Sequence, residues 1–376
     1  MLFNIPVKMK LKIKWTKLAF KVHGWAGLTA GFFFLLYGLT GSALMFRADL
    51  DRFFNPELHQ LKNGIKQVSL DSIYRMVVRT HPNLKKIVLH DFPKDKFDSY
   101  EFMLYQNQQH VKDGYLYFVF VNPYTGKMIR EGSYEEINPS FFRWLYSLHY
   151  TLLLGFPGKL FGAVTGIVMF LSMITGTIIY RKHFWEALRF RSGLNFKNKR
   201  TAVSSLHRII GVWALLFNTL LFFTGFWINK SQFKPSAWKI NPIIDNRLVT
   251  ANIDRLVEKS RIAVKGFEPI AINIPTTNEG DVLVKGHLPS TSFFLHQGKA
   301  SSISFNAKTG ELIKVSDIDR QAFSDRLEWE VYQFHIGNYG GNLIRWLYVI
   351  MGLTPGLLSV TGAMLWWKKK EAKRSK

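Results

Sequence analysis

Four long apolar runs divide the chain, at roughly 20–46, 160–180, 206–228 and 343–367. A helix rises 1.5 Å per residue, so each run is long enough to cross a hydrocarbon core about 30 Å thick. The pattern predicts four membrane-crossing helices. Between the first and second runs, and again between the third and fourth, polar positions return and the period changes. The stretches "VSLDSIYRMVVRTHPN" and "VTANIDRLVEKSRIA" suit short amphipathic helices opened by Asp or Ser/Thr caps. Strand-like alternation follows in "KKIVLHDF", "SYEFMLYQ" and "GYLYFVFVN", and then in "EPIAINI", "DVLVKGH" and "SSISFN". The last strand of each group turns at Thr-Gly, where glycine tolerates positive φ. Each large loop therefore predicts a small α+β domain with an antiparallel sheet.

The two halves are copies of one module. His23 and His207 are 184 residues apart, Asp71 and Asp254 183, Thr125-Gly126 and Thr309-Gly310 184, and His149 and His335 186. Thr-Gly pairs inside the apolar runs recur as well, Thr40-Gly41 with Thr224-Gly225 and Thr175-Gly176 with Thr361-Gly362. Each landmark alone is weak; their common order and offset define a repeat. A copy with two crossings keeps its orientation, so the copies are expected to be parallel repeats about an axis along the membrane normal. The expected architecture is a four-helix membrane bundle built from two parallel repeats, with two small exported α+β domains.

The formal charge of +24 resembles that of a nucleic-acid binder until it is mapped. Residues 47–140 carry 13 Lys/Arg against 12 Asp/Glu, and residues 229–330 carry 14 against 12. Most of the excess lies in the 8–21 tail, the 181–208 loop and the 368–376 tail. A bias confined to short juxtamembrane segments is the positive-inside signature. It places both tails and the middle loop in the cytoplasm and requires no nucleic acid. The first apolar run exceeds a signal-peptide core, which predicts a retained helix. The expected divisions are 1–46, tail and first crossing; 47–140, first exported domain; and 141–182, exported-side helix and second crossing. They continue with 183–205, basic cytoplasmic loop; 206–228, third crossing; 229–325, second exported domain; 326–367, exported-side helix and fourth crossing; and 368–376, cytoplasmic tail. The chain has no cysteine, which excludes disulfides, thiolate metal sites, iron–sulfur clusters and thioether-linked haem.

The repeat also pairs histidines. His23 and His207 fall at the cytoplasmic ends of the first and third runs, and His149 and His335 at the exported approaches to the second and fourth. Each pair stands at one depth on opposite sides of the axis. Haem needs two trans axial imidazoles across a planar ring, and a bundle core is a usual seat for it. Ionisable residues at membrane depth default to function. Gly27 and Gly211 follow the first pair by four residues and leave room on the same helical face. Lys159 and Arg345, 186 apart, are candidates to meet haem propionates. Tyr146 and Tyr332 each precede an exported-side histidine by three. The spacings Gly27/Gly31, Gly162/Gly166 and Gly352/Gly356 allow close helix approach. His183 is a weaker ligand because lysine occupies its equivalent, Lys369. His59, His81, His90, His110, His287 and His296 are expected to be solvated. Neither exported loop has the tight ligand spacing of a zinc site, and no nucleotide fingerprint follows a strand.

The stretches "KVHGWAGLTAGFFFLLYGLTGSALMF", "WLYSLHYTLLLGFPGKLFGAVTGIVMFLSMITG" and "SLHRIIGVWALLFNTLLFFTG", with the two Thr-Gly strand ends, resemble the PepSY-associated transmembrane helix family of iron-regulated inner-membrane proteins. The resemblance covers nearly the whole chain and implies PepSY-like exported domains in a bacterial inner membrane. Members include siderophore reductases with two b-type haems. By that resemblance His23 and His207 ligate the cytoplasmic-side haem, and His149 and His335 the periplasmic-side one. The implied function is reduction of a periplasmic acceptor, ferric siderophore iron, with quinol or a cytoplasmic reductase as donor. Two other roles stay open: a haem-bearing membrane subunit of another periplasmic oxidoreductase, and a non-catalytic PepSY-type peptidase regulator.

Overall fold

A computed structural model describes residues 7–374 apart from 63, 65, 94, 108–114 and 240–247. The helices are α1 (Val7–Leu44), α2 (Arg47–Phe54), α3 (Pro56–His59), α4 (Leu70–Thr80), α5 (Phe141–Thr151), α6 (Phe156–Tyr180) and α7 (Phe184–Leu188). They continue as α8 (Lys199–Trp213), α9 (Leu215–Asn229), α10 (Ile253–Ala263), α11 (Phe323–Ile336), α12 (Gly341–Gly352) and α13 (Thr354–Arg374). The strands are β1 (Leu84–Leu89), β2 (Tyr100–Gln106), β3 (Leu116–Val121), β4 (Met128–Ser133), β5 (Glu268–Pro275), β6 (Asp281–His287), β7 (Ser301–Asn306) and β8 (Leu312–Ser316). They form two compact units, one of residues 1–45, 160–230 and 334–376, the other of 46–159 and 231–333.

In the helical unit, segments Trp15–Leu44, Phe156–Tyr180 and Gly341–Glu371 are long and apolar enough to cross a membrane. The expected third crossing is not straight. Helices α8 and α9 pass the same test only together, and they bend by 63° at Ala214. Neither proline nor glycine stands at that break; four residues on, the buried Asn218 accepts a hydrogen bond from Thr354 at 3.2 Å. Thr354 itself opens α13 directly after the interruption at Leu353, so a buried polar contact joins the two interrupted helices. Helix α1 packs closely on α12 and α13: a side chain at Gly38 would collide with the Gly352 carbonyl at 2.6 Å. Of the anticipated glycine pairs, Gly31 meets Ser359 and Gly166 meets Phe226, whereas Gly27 faces open space.

The other unit corrects the expectation of two separate sheets. Its strands form one eight-stranded antiparallel sheet in the order β4-β3-β2-β1-β5-β6-β7-β8. The halves join where β1 pairs β5, with Ile87 opposite Ile274 and Leu89 opposite Ile272. Each half also has a fourth strand beyond its Thr-Gly turn, where Gly126 (φ +68) and Gly310 (φ +71) adopt the left-handed conformation. Alternation sorts the side chains between faces. Ile87, Leu89, Phe102, Leu104, Val119, Val121, Val282, Val284, Ile303 and Phe305 form the main core with α4 and α10. Val88, Met103, Phe118 and Phe120 form a second core on the opposite face of the first half.

The two helices cap each other across the repeat. Asp254 of α10 accepts from Ser69 Oγ at 2.6 Å and from the Leu70 and Asp71 amides at 2.9 Å, at the start of α4. Asp71 of α4 accepts from the Ile253 amide at 3.0 Å, at the start of α10. The residues that cap their own helices are Ser69 and Asn252. A carboxylate at a helix N-terminus satisfies otherwise orphan donors and favours the helix dipole.

Candidate functional site: paired histidines seated on Thr-Gly steps

His23 of α1 and His207 of α8 lie together in the helical unit, with ring centres 6.2 Å apart and planes at 85°. Metal–imidazole bonds of about 2 Å on each side, plus about 1 Å from each nitrogen to its ring centre, sum to about 6 Å. The spacing therefore fits two imidazoles sharing one metal ion between them. Both rings are surrounded by protein on most sides, yet keep part of their surface accessible.

Tautomers follow from the partners. His23 Nδ1 lies 2.9 Å from the Ser172 carbonyl oxygen, which can only accept. The proton therefore sits on Nδ1 and the lone pair on Nε2. His207 Nδ1 lies 2.8 Å from Thr361 Oγ1, whose own proton goes to the Leu357 carbonyl at 2.7 Å. With its donor committed, the hydroxyl accepts from Nδ1–H and again leaves the lone pair on Nε2. This is the usual outer support of a metal-ligating histidine.

The same device serves His335. His335 Nδ1 lies 3.0 Å from Thr224 Oγ1, which donates to the Leu220 carbonyl at 2.8 Å. Next to each threonine is a glycine that admits the ring. A Cβ at Gly176, Gly225 or Gly362 would stand 3.1, 3.2 or 3.5 Å from Cε1 of His23, His335 or His207. The Thr-Gly steps thus hold the histidines, a role not deduced from the sequence; nor was Ser172. The recurrence of Thr-Gly pairs within the apolar runs of both copies was the available signal. His149, the remaining predicted ligand, is half-buried on α5 in the sheet-bearing unit.

Gly27 has nothing within 4 Å of a hypothetical Cβ, and Gly211 has only a Leu358 methyl at 3.8 Å. The helix faces beside the first pair are therefore open at these two positions. Lys159 and Arg345 differ despite their matched positions. Lys159 Nζ sits 4.9 Å from the Tyr115 ring centre, 5.2 Å from Phe156 and 5.3 Å from Tyr150, an aromatic box. Arg345 donates to the Met45 carbonyl at 2.8 Å and to Asn342 at 3.0 Å.

Several loop histidines are not solvated as expected, because carboxylates of the sheet-bearing unit enclose them. His296 is 4% exposed, between Asp319 at 2.5 Å and Glu330 at 2.9 Å. His59 lies 3.0 Å from Asp98 and 3.6 Å from Asp51, and His81 3.0 Å from Glu131. His90 and His287 are half-buried, and His110 falls outside the described residues. His183 is exposed and pairs with Glu186 at 3.0 Å. Among the described residues no group of three or more His, Asp or Glu is arranged to hold a metal ion.

Comparison with known proteins adds the family. An uncharacterized protein of Pseudomonas aeruginosa, PA4219, is 24% identical over 259 residues, covering 60% of this chain. The chain spans 63% of the length of that relative. The model of the PepSY-associated TM region matches residues 20–369, and the chain accordingly belongs to that family of membrane proteins.

Proposed function

We propose that the protein is a di-haem electron carrier of a bacterial inner membrane that reduces an acceptor on the exported side, ferric iron held by a siderophore. The observation that carries this reading is the His23–His207 pair, 6.2 Å between ring centres with each Nδ1–H anchored on a neighbouring helix. Two b-type haems, one per histidine pair, are the cofactors proposed, with quinol or a cytoplasmic reductase as donor. When bound, haem supplies reversible one-electron chemistry at iron.

The chain's own residues bind and orient. Ser172, Thr361 and Thr224 hold the proton of His23, His207 and His335 at Nδ1 and present Nε2 as the donor atom. Gly176, Gly362 and Gly225 let the rings seat against the helices. Apolar packing around Phe34, Met169 and Phe222 keeps water from the interior. The charge pattern supports cytoplasmic tails and exported α+β structure.

The test is the visible spectrum of the purified full chain, with haem counted by pyridine haemochrome. The expected result is two haems, a sharp α band on dithionite reduction, and loss of about one haem in His23→Ala or His207→Ala and in His149→Ala or His335→Ala. A colourless protein that does not take up added haem refutes the reading and favours a peptidase regulator. Haem without reduction of ferric chelates favours a subunit of another oxidoreductase.

A further inference from the structure

The helical unit holds a cavity that the reading above does not use. It encloses about 230 Å³ and is lined by Tyr180 at the end of α6, by His183, Ser192 and Asn195, and by Ser205 and Arg208 of α8. Contacts with α8 build it. Trp213 Nε1 donates to the Ala187 carbonyl at 3.2 Å, and the Trp213 ring stacks on Phe190 with centres 4.0 Å apart. The Asn195 amide donates at 3.1 Å to Oγ of Ser205, which is 3% exposed. The segment between α7 and α8 is thus tied to α8 on both sides of Ser192.

The lining offers donors and no carboxylate. The Arg208 guanidinium carbon lies 5.5 Å from the Tyr180 ring centre, and its Nε donates to the Ser204 carbonyl at 3.1 Å. Among the described residues its two terminal nitrogens make no hydrogen bond or ion pair, and neither do the Ser192 hydroxyl and Asn195 Nδ2. Residues 181–208 carry eight Lys/Arg and a single carboxylate, Glu186, which His183 takes up at 3.0 Å. An uncommitted guanidinium fork beside a hydroxyl and an amide matches a phosphate. Sites that enclose a drug-sized ligand measure about 300–1,000 Å³, so this volume suits a headgroup better than a whole organic ligand.

The surroundings say which phosphate. On the same segment Trp185, Phe190 and Phe196 are 63%, 78% and 76% exposed. Exposed aromatic rings among Lys/Arg, beside membrane-crossing helices, mark a segment lying at the boundary of headgroups and acyl chains. A site for a soluble phosphate has no use for them. We propose that the cavity binds the phosphate of an anionic phospholipid, with Arg208 as the fork and Ser192 and Asn195 as further donors. The leaflet is the one that the charge pattern assigns to the cytoplasm, where basic pockets meet anionic lipid. The site depends on the bilayer, which membership of a membrane-protein family supplies, and not on haem or electron transfer.

The test is native mass spectrometry of the full chain in detergent, titrated with phosphatidylglycerol and with phosphatidylcholine of the same acyl chains. The wild type is expected to retain phosphatidylglycerol in preference, because the choline cation competes with Arg208 for its own phosphate. Loss of one positive charge near a membrane surface costs about fivefold in affinity. Charge alone therefore predicts equal losses from Arg208→Gln and from Arg200→Gln, which lies outside the lining. The cavity predicts a loss of about tenfold or more from Arg208→Gln, a smaller one from Arg208→Lys, and about fivefold or less from Arg200→Gln. Ser192→Glu keeps Arg208 and puts a carboxylate in the lining; it should match the loss of Arg208→Gln and carries the test should that variant fail to fold. Equal retention of the two lipids, or equal losses at Arg208 and Arg200, overturns the site. Inorganic phosphate that binds as tightly as the lipid in calorimetry overturns the lipid as its occupant.

Discussion

Gly176 and Gly362 occupy the same place in the two repeats but allow their histidines different clearance, and that difference is measurable. A Cβ at Gly176 would stand 3.1 Å from His23 Cε1, and one at Gly362 3.5 Å from His207 Cε1. Carbon contacts are comfortable from about 3.5 Å, so Gly176→Ala pushes the His23 ring by about 0.4 Å and Gly362→Ala leaves His207 nearly where it is. Metal–nitrogen bonds hold to within about 0.2 Å, so the first displacement exceeds what the bond accepts and the second does not. Overpacking of this kind costs about 1–3 kcal/mol, a loss of about five- to 150-fold in affinity. Alanine also has the higher helix propensity, so helix destabilisation does not explain such a loss. The assay is haem retained per chain during competition with an apo-haemoprotein scavenger, alongside the reduced-minus-oxidised spectrum. Gly225→Ala, at 3.2 Å from His335 Cε1, is expected to rank close to Gly176→Ala. Equal losses from Gly176→Ala and Gly362→Ala, or wild-type retention by Gly176→Ala, refute the reasoning.

Thr361→Val removes the acceptor of His207 Nδ1–H at nearly constant volume and should weaken haem affinity about 10- to 100-fold, read by the same competition. A Cβ at Gly27 would meet nothing within 4 Å, so Gly27→Leu should leave folding intact while emptying the first haem site; unchanged haem content would show that the space is not used. Asp254→Ala should cost about 1–2 kcal/mol in thermal unfolding, because the carboxylate accepts three hydrogen bonds at the start of α4; an unchanged melting temperature contradicts the capping role. For His59, burial opposes the imidazolium, but Asp51 and Asp98 outweigh it and raise the pKa. Its contribution is therefore fully present below about pH 6.5 and is lost as pH rises through the raised folded value. The melting temperature of wild type should fall over that interval more than that of His59→Gln, and parallel curves would count against it.

Periodicity exposed most of the elements, because alternation in strands such as β3 and the amphipathic face of α4 are local properties. The histidines were legible through the repeat. Their seats were not, because His23 and Thr175 are 152 residues apart and His207 and Thr361 154, and nothing local links them. The union of β1 with β5 was hidden for a similar reason. Both read as ordinary strands, and which strand an edge meets is a tertiary fact. The bend at Ala214 left no mark in "GVWALLFN", which has no proline and no glycine at the break. His296 lies in a loop and is nevertheless buried, because two carboxylates supply the partners that water would have given.

The mutual capping by Asp71 and Asp254, with the β1–β5 seam, means that neither half of the sheet-bearing unit completes itself. A half-length ancestor would have met those needs with a second identical molecule, as a twofold self-complementary dimer. Tandem fusion converts that encounter into an intramolecular one at high effective concentration. It also frees the two copies to specialise, as Lys159 in its aromatic box and Arg345 on a helix-end carbonyl already have.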